Sequence, residues 1–357
     1  MRQMITLALL ALASGVASSA PAAPQEARSI EWSIDRNVGS ANADHVQLTF
    51  ETRWEPDGRS IWSNDYPLDD LPGLTRAQVA GPTRRVQFAF VRPAGRLDCG
   101  GIVGGLAGHG TCRFSPDAQF SALLEARGLG RPTERQSYSL TMSRVGVELI
   151  DAMDGIGYSR PGIDQLVAMG IHGVSPEYVR GLSASGYRLK SADDLVAFKI
   201  HGVSLEFLRE IAAAGPQLRH LSAQDIVALR IHGVSPDYVR DMAAIGPQFR
   251  NLTADDLVSF RIHGASPDLV GAYSRYTGGR LNASDVVSMA IHGVRADDLA
   301  AYSSLGYSDL TAEQLVSMRI HGVTPEYVRE LQAGGMGHVA ADQLVRLRLA
   351  GFSPAAR

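Results

Sequence analysis

The sequence predicts an α+β protein: a small antiparallel β-sheet or sandwich, then an α-solenoid of helix–turn–helix repeats of about 29–31 residues. Three observations predict it. Apolar and polar residues alternate with period two between Ile30 and about Phe114, the mark of half-buried strands. A short phrase, Ile-His-Gly-Val, returns at fixed spacing through the second half, the mark of a solenoid. With 45% apolar and 20% charged residues, and 34 Lys+Arg against 37 Asp+Glu, the chain is globular and not a strongly basic nucleic-acid binder.

The first element is an export signal. Met-Arg-Gln-Met precedes an apolar run, Ile5–Ala13, and then small residues from Ala17 to Ala22. A positive start, an apolar stretch too short to span a bilayer and a small-residue cleavage zone describe a secretory signal peptide. We place it over residues 1–22, cleaved after Ala20 or Ala22, with a linker over 23–29. A buried N-terminal helix is the rival reading. The implied compartment is the bacterial periplasm or beyond, with no membrane span in the mature chain.

A β-rich domain follows over 30–130. Val46, Leu48 and Phe50 alternate with Gln47, Thr49 and Glu51, and Val86, Phe88 and Phe90 alternate with Gln87 and Ala89. Glu55-Pro56-Asp57-Gly58, Pro72-Gly73 and Gly81-Pro82 mark breaks, so about five or six strands are expected. Cys99 and Cys112 are the two cysteines, and in an oxidising compartment such a pair forms a disulfide. They are expected on adjacent strands below a mobile tip containing Gly100, Gly101, Gly104, Gly105, Gly108 and Gly110. A catalytic thiol beside His109 is the alternative, without a visible cause for a low pKa. A phosphate cradle would need a helix after the glycines, where a strand-like Thr111–Phe114 stands.

The repeat array occupies 131–357. Ile171, Ile200, Ile231, Ile262, Ile291 and Ile320 are 29, 31, 31, 29 and 29 residues apart, and a further 29 reaches Leu349. Their partners are His172-Gly173, His201-Gly202, His232-Gly233, His263-Gly264, His292-Gly293 and His321-Gly322. Each unit reads as two short helices. The first is capped by Ser191, Ser222, Thr253, Asn282 or Thr311, with Asp194, Asp225, Asp256, Asp285 or Gln314 three residues on, the spacing of a capping box. Its apolar pattern runs Leu195, Val196, Phe198, Ile200, and the glycine ends it. The second starts at Ser175-Pro176, Ser235-Pro236, Ser266-Pro267 or Thr324-Pro325. Neither helix is stable alone, because isolated helices below about 12–15 residues are marginal. Stepping back 29 residues from Ile171 reaches Met142, where Val145, Glu148, Leu149 and Gly157-Tyr158 suggest a capping repeat. Arg295-Ala296 replaces Ser-Pro and Asp298 replaces an aromatic, so a weak or bent point is expected there.

Two side-chain series are candidate functional residues. The histidines suggest metal, but equivalent residues on layers about 10 Å apart cannot share one zinc. The structural reading puts each His at a helix C-cap, where it can bond a carbonyl or favour the dipole; a pH-sensing array is the other reading. Arg180, Arg209, Arg240 and Arg329 recur on the second helices and form a candidate interaction face, or a solvated one given the interleaved acids. The helix-Gly-helix pattern also resembles the helix-hairpin-helix element that binds DNA backbone. Here Ser or Thr stands where that element carries a second glycine.

The phrase Arg-Ile-His-Gly-Val-Thr/Ser-Pro-Glu/Asp-Tyr-Val-Arg, at Arg230–Arg240 and Arg319–Arg329, resembles the repeats of uncharacterised exported bacterial proteins. Those repeats are similar to ones appended to β-lactam-sensor-type membrane zinc peptidases. The resemblance covers roughly residues 140–357, and Phe114-Ser115-Pro116 looks like the segment that precedes such arrays. It implies no transferable activity, because the His-Glu-x-x-His zinc motif is not in this chain. The expected function is therefore that of a non-enzymatic envelope protein without cofactor, binding another protein or a peptide, and not nucleic acid, through the solenoid surface. A regulatory or sensory partner of an envelope peptidase, and a metal or pH sensor, are the alternatives.

Overall fold

A computed structural model describes residues 27–35, 44–54, 58–155, 160–187, 189 and 191–353. The signal peptide, the Glu55–Asp57 turn residues and Gly157-Tyr158 lie outside the described residues. The chain divides into two compact units: residues up to Glu125 together with Arg131–Met142, and Ala126–Gly130 together with Ser143 onward.

The first unit is a six-stranded antiparallel sheet, ordered β3-β2-β1-β6-β5-β4. The strands are β1 (Ala27–Ile34), β2 (His45–Trp54), β3 (Gly58–Pro67), β4 (Arg84–Arg92), β5 (Gly95–Gly104) and β6 (Ala107–Pro116). Period two works as expected: Val46, Leu48, Phe50 and Trp54 are buried on one face of β2. The two edge strands meet through their inward rings, Tyr66 of β3 standing edge-on to Phe90 of β4 at 5.2 Å. The sheet is therefore curled around its core. Pro72-Gly73 and Gly81-Pro82 bracket a short helix that alternation did not reveal, α1 (Arg76–Ala80), capped by Thr75 and Gln78. Helix α2 (Ala118–Ala126) follows β6, and α3 (Glu134–Met142) packs on the sheet. From α3, Tyr138 stacks edge-on against Trp54 and Phe114 and accepts a hydrogen bond from the buried Thr52 hydroxyl at 2.7 Å. Burial among these rings pushes the Tyr138 hydroxyl well above its ordinary pKa.

The glycine-rich stretch corrects one expectation. It is not a mobile tip: most of its glycines sit within β5 and β6, joined by a two-residue turn in which Gly105 and Leu106 take φ of +59° and +67°, as a type I′ hairpin demands. The cause is Trp32. A Cβ on Gly101 would lie 2.6 Å from the indole, and one on Gly110 would lie 2.7 Å from its nitrogen. The glycines leave room for the ring, whose Nε1 donates to the Gly100 carbonyl at 3.2 Å. Cys99 and Cys112 face each other across β5 and β6, Cα atoms 4.0 Å apart, and form the disulfide.

The second unit is the repeat array. Helix α4 (Val147–Asp154) leads into pairs α5–α6 (Ile163–Ile171, Pro176–Ala184), α7–α8 (Ala192–Ile200, Leu205–Ala214) and α9–α10 (Ala223–Ile231, Pro236–Ile245). They continue as α11–α12 (Ala254–Ile262, Pro267–Tyr276), α13–α14 (Ala283–Ile291, Ala296–Ser304) and α15–α16 (Ala312–Ile320, Pro325–Ala333), and end at α17 (Ala341–Leu349). First helices stack on first helices and second on second, giving two layers. Capping boxes form at Ser191, Ser222, Thr253, Asn282 and Thr311, and Asp serves at the third position as well as Gln314 does. The histidine is the C-cap residue and the glycine takes positive φ, +65° to +72° across the six copies. In the first copy Val174 N–H donates to Met169 at 2.8 Å and Gly173 N–H to Gly170 at 3.1 Å, a Schellman closure that buries the valine beneath the turn. The degenerate copy keeps this shape: α3 ends at Met142, and Arg144 takes φ of +59° where later copies have glycine.

Candidate binding surface

Two surfaces of the array carry the repeated side chains, and they differ. On the second-helix layer the aromatic of one repeat is gripped by the next. Tyr178, Phe207, Tyr238 and Tyr327 lie under Lys199, Arg230, Arg261 and Arg348, each cation 4.8–5.0 Å from the ring centre. Arg230 and Arg261 also donate, through Nε, to the carbonyls of His201 and His232 at 3.3 Å. The tyrosine hydroxyls donate across the same seam. Tyr178 reaches the Val203 carbonyl at 2.6 Å, Tyr238 reaches Ala265 at 2.7 Å and Tyr327 reaches Phe352 at 3.0 Å.

Where the repeat departs from its pattern, the seam is rebuilt from other residues. Leu269 takes the aromatic's place, and Tyr273, one turn later, donates to Val294 at 2.6 Å. Asp298 takes it next, and Tyr302, again one turn later, donates to Val323 at 2.5 Å. Asp298 is buried, with Arg295 at 3.0 Å and Arg319 at 3.7 Å, so the cation that stacks elsewhere pairs with a carboxylate here. Position 290 is alanine opposite Leu269, so cation and ring are lost together. The expected weak point is thus an intact helix, α14, without a side-chain cap at Arg295 but packed on α12 and α16. Phe207 is the exception in the hydroxyl series, with no hydroxyl to offer Val234.

The first-helix layer is open. Ile171, Ile200, Ile231, Ile262, Ile291 and Ile320 are each 51–55% exposed, and Leu349 is 65% exposed. The apolar pattern Leu195, Val196, Phe198, Ile200 thus mixes buried and exposed positions. Helix geometry explains the difference: five steps of about 100° put Ile200 about 140° from buried Leu195. Met142, the equivalent in the degenerate copy, is 3% exposed. The ladder therefore begins at the first full repeat. One turn before each isoleucine a half-buried valine, such as Val196, Val227 or Val258, widens the apolar strip. Exposed or half-exposed histidines flank it on the C-terminal side, and Asp193, Asp255 and Glu313 stand exposed at the helix starts.

The other sequence-derived candidates separate cleanly. Arg180, Arg209, Arg240 and Arg329 are exposed on the second helices, each beside the acid three residues before it: Glu177, Glu206, Asp237 and Glu326. The six histidines serve their turns through the backbone. Among the described residues no group of three or more His, Cys, Asp or Glu could hold a metal ion. Cys112 is bonded to Cys99, which removes the thiol that the His109 reading required. No helix among the described residues is long and apolar enough to cross a membrane. Compared with protein-family models, curated proteins and solved structures, the chain matches none.

Proposed function

We propose that the chain is a non-enzymatic, exported repeat protein that binds another protein or a peptide, and that the isoleucine ladder is its binding surface. The observation that carries this reading is the ladder itself. Stacking does not use it: the buried positions are Leu195, Phe198 and Val203 and their counterparts. A large apolar side chain stands at one half-exposed to exposed position in all seven first helices, outside the buried stripe, and contiguous exposed apolar surface marks interaction sites. Export is supported by the leader residues and by the Cys99–Cys112 disulfide, a bond of oxidising compartments. A regulatory partner of an envelope peptidase, which the repeat resemblance implies, would use the same surface.

The test is photo-crosslinking in the envelope with the wild-type chain, with Ile231→Asp/Ile262→Asp, and with Arg240→Ala/Arg329→Ala. The adduct is expected to vanish with the ladder variant and persist with the arginine variant. The reverse pattern moves the binding surface to the second-helix layer. Recovery of a peptidase in the adduct favours the regulatory reading.

A further inference from the structure

The ladder has a geometry that selects its occupant. Four of the seven first helices read, from start to end, acid, small residue, isoleucine: Asp164-Ala168-Ile171, Asp193-Ala197-Ile200, Asp255-Ser259-Ile262 and Glu313-Ser317-Ile320, whereas Gln224 and Ser284 stand in the acid's place on α9 and α13, and Arg346 in the small residue's place on α17. Beyond the isoleucines runs the row of histidines; the neighbouring cations Lys199, Arg230, Arg261 and Arg319 are engaged in the second-helix seam. The layer thus has an acidic rim interrupted at Gln224 and Ser284, an apolar strip and a histidine rim, all parallel to the stack.

Such a pattern is complementary to itself under one operation. A two-fold axis along the strip turns the face over and exchanges its rims, so acids meet the opposite rim and isoleucines meet the valines and small residues. A two-fold axis along the helices instead sets acids against acids. An isologous interface requires this kind of self-complementarity. The area also suits it. Seven helices of nine residues, each about 13 Å long and about 8–10 Å apart, present a face of about 60 by 13 Å, or about 800 Å², which is what a standard stable interface takes from each partner.

We infer that the occupant of the ladder is a second copy of this chain, the two arrays running parallel with equal repeats opposite one another. The inference rests on the ladder being a binding surface and names its partner. It follows that residues near the strip's midline, such as Ser317, face themselves across the axis.

The test uses the full mature protein in sedimentation equilibrium from about 1 to 100 µM, the range spanning ordinary dimer affinities. A dimer is expected. Ile231→Asp/Ile262→Asp should weaken it at least about 100-fold, as loss of central apolar anchors does, with unchanged helical circular dichroism because both side chains are exposed. Arg180→Ala/Arg240→Ala, on the other layer, should leave it intact. Ser317→Cys should form a self-crosslink under mild oxidation, whereas antiparallel arrays would bring residue 317 to the opposite end of the partner. A wild-type chain that stays monomeric overturns the inference. So does a dimer indifferent to the isoleucine variant, or one in which Ser317→Cys fails to crosslink. A monomer whose envelope crosslinks still depend on Ile231 and Ile262 would refute the second copy and leave the ladder's binding role standing. Loss of both would refute both.

Discussion

In the sheet unit, Trp32 donates to Gly100, 68 residues along the chain. In the array, Tyr238 donates to Ala265, 27 residues along, and the same seam recurs from Tyr178 to Tyr327. The first unit has one core that every strand helps to close, with glycines cleared around the Trp32 ring inside it. The second has no single centre; each helix pair leans on the next. Defects should therefore act differently. A fault near Trp32 should cost the whole sheet, whereas a fault in one repeat should reach its neighbours and fade. The array also tolerates substitution that the sheet cannot: Tyr273 and Tyr302 restore a hydrogen bond that Leu269 and Asp298 gave up, while nothing can replace the space at Gly101.

The largest expected effect is Gly101→Val. Its Cβ would lie 2.3 Å from the His109 carbonyl and 2.6 Å from Trp32, so the strand must shift, at about 3 kcal/mol for overpacking. The tryptophan near-ultraviolet signal should collapse while the helical far-ultraviolet signal survives; retention of the tryptophan signal would show that β5 yields easily. Alkali attacks the seam hydroxyls together. Burial pushes Tyr273 up to about 12 from 10.0, and Tyr238 and Tyr302 higher still. The fold keeps the neutral hydroxyl, so this stability is full below pH 10 and drains away as pH climbs toward the folded values. The last tyrosinate absorbance and the loss of helix should rise together; complete tyrosinate formation with helix intact would contradict the burial.

Smaller effects probe one repeat at a time. Gly233→Val places a β-branched residue at φ of +68°, a cost of about 2 kcal/mol. Tyr238→Phe leaves the Ala265 carbonyl without its donor and should cost about 1 kcal/mol in chemical unfolding. Phe207→Tyr runs the other way, offering Val234 the hydroxyl it lacks, with a gain of about 0.5 kcal/mol; a loss instead would mean that the seam at Phe207 is packed differently from its neighbours.

The array was the more legible unit because its signals are local. Ser-Pro, the capping positions and the glycine after histidine each specify backbone within a few residues, and they appear where the structure uses them. The sheet's alternation was legible too, but the glycines of β5 and β6 have the composition of a loop. Their purpose is a contact with Trp32, distant in sequence, which no local pattern announces. The isoleucine ladder was hidden for another reason. Hydrophobic spacing marks both buried and exposed apolar positions, and only the angle around the helix separates Ile200 from Leu195. The seam's substitutions, Asp298 with Arg319 and Leu269 with Ala290, become readable only once helix layers are in register.

Dependence on neighbours is tested most directly by native-state hydrogen exchange on Gly233→Val. Protection should fall in α9 and α10 and, to a smaller degree, in α8 and α11, with the sheet amides unchanged. Loss confined to the turn at residue 233, or spread evenly over sheet and helices alike, would contradict it.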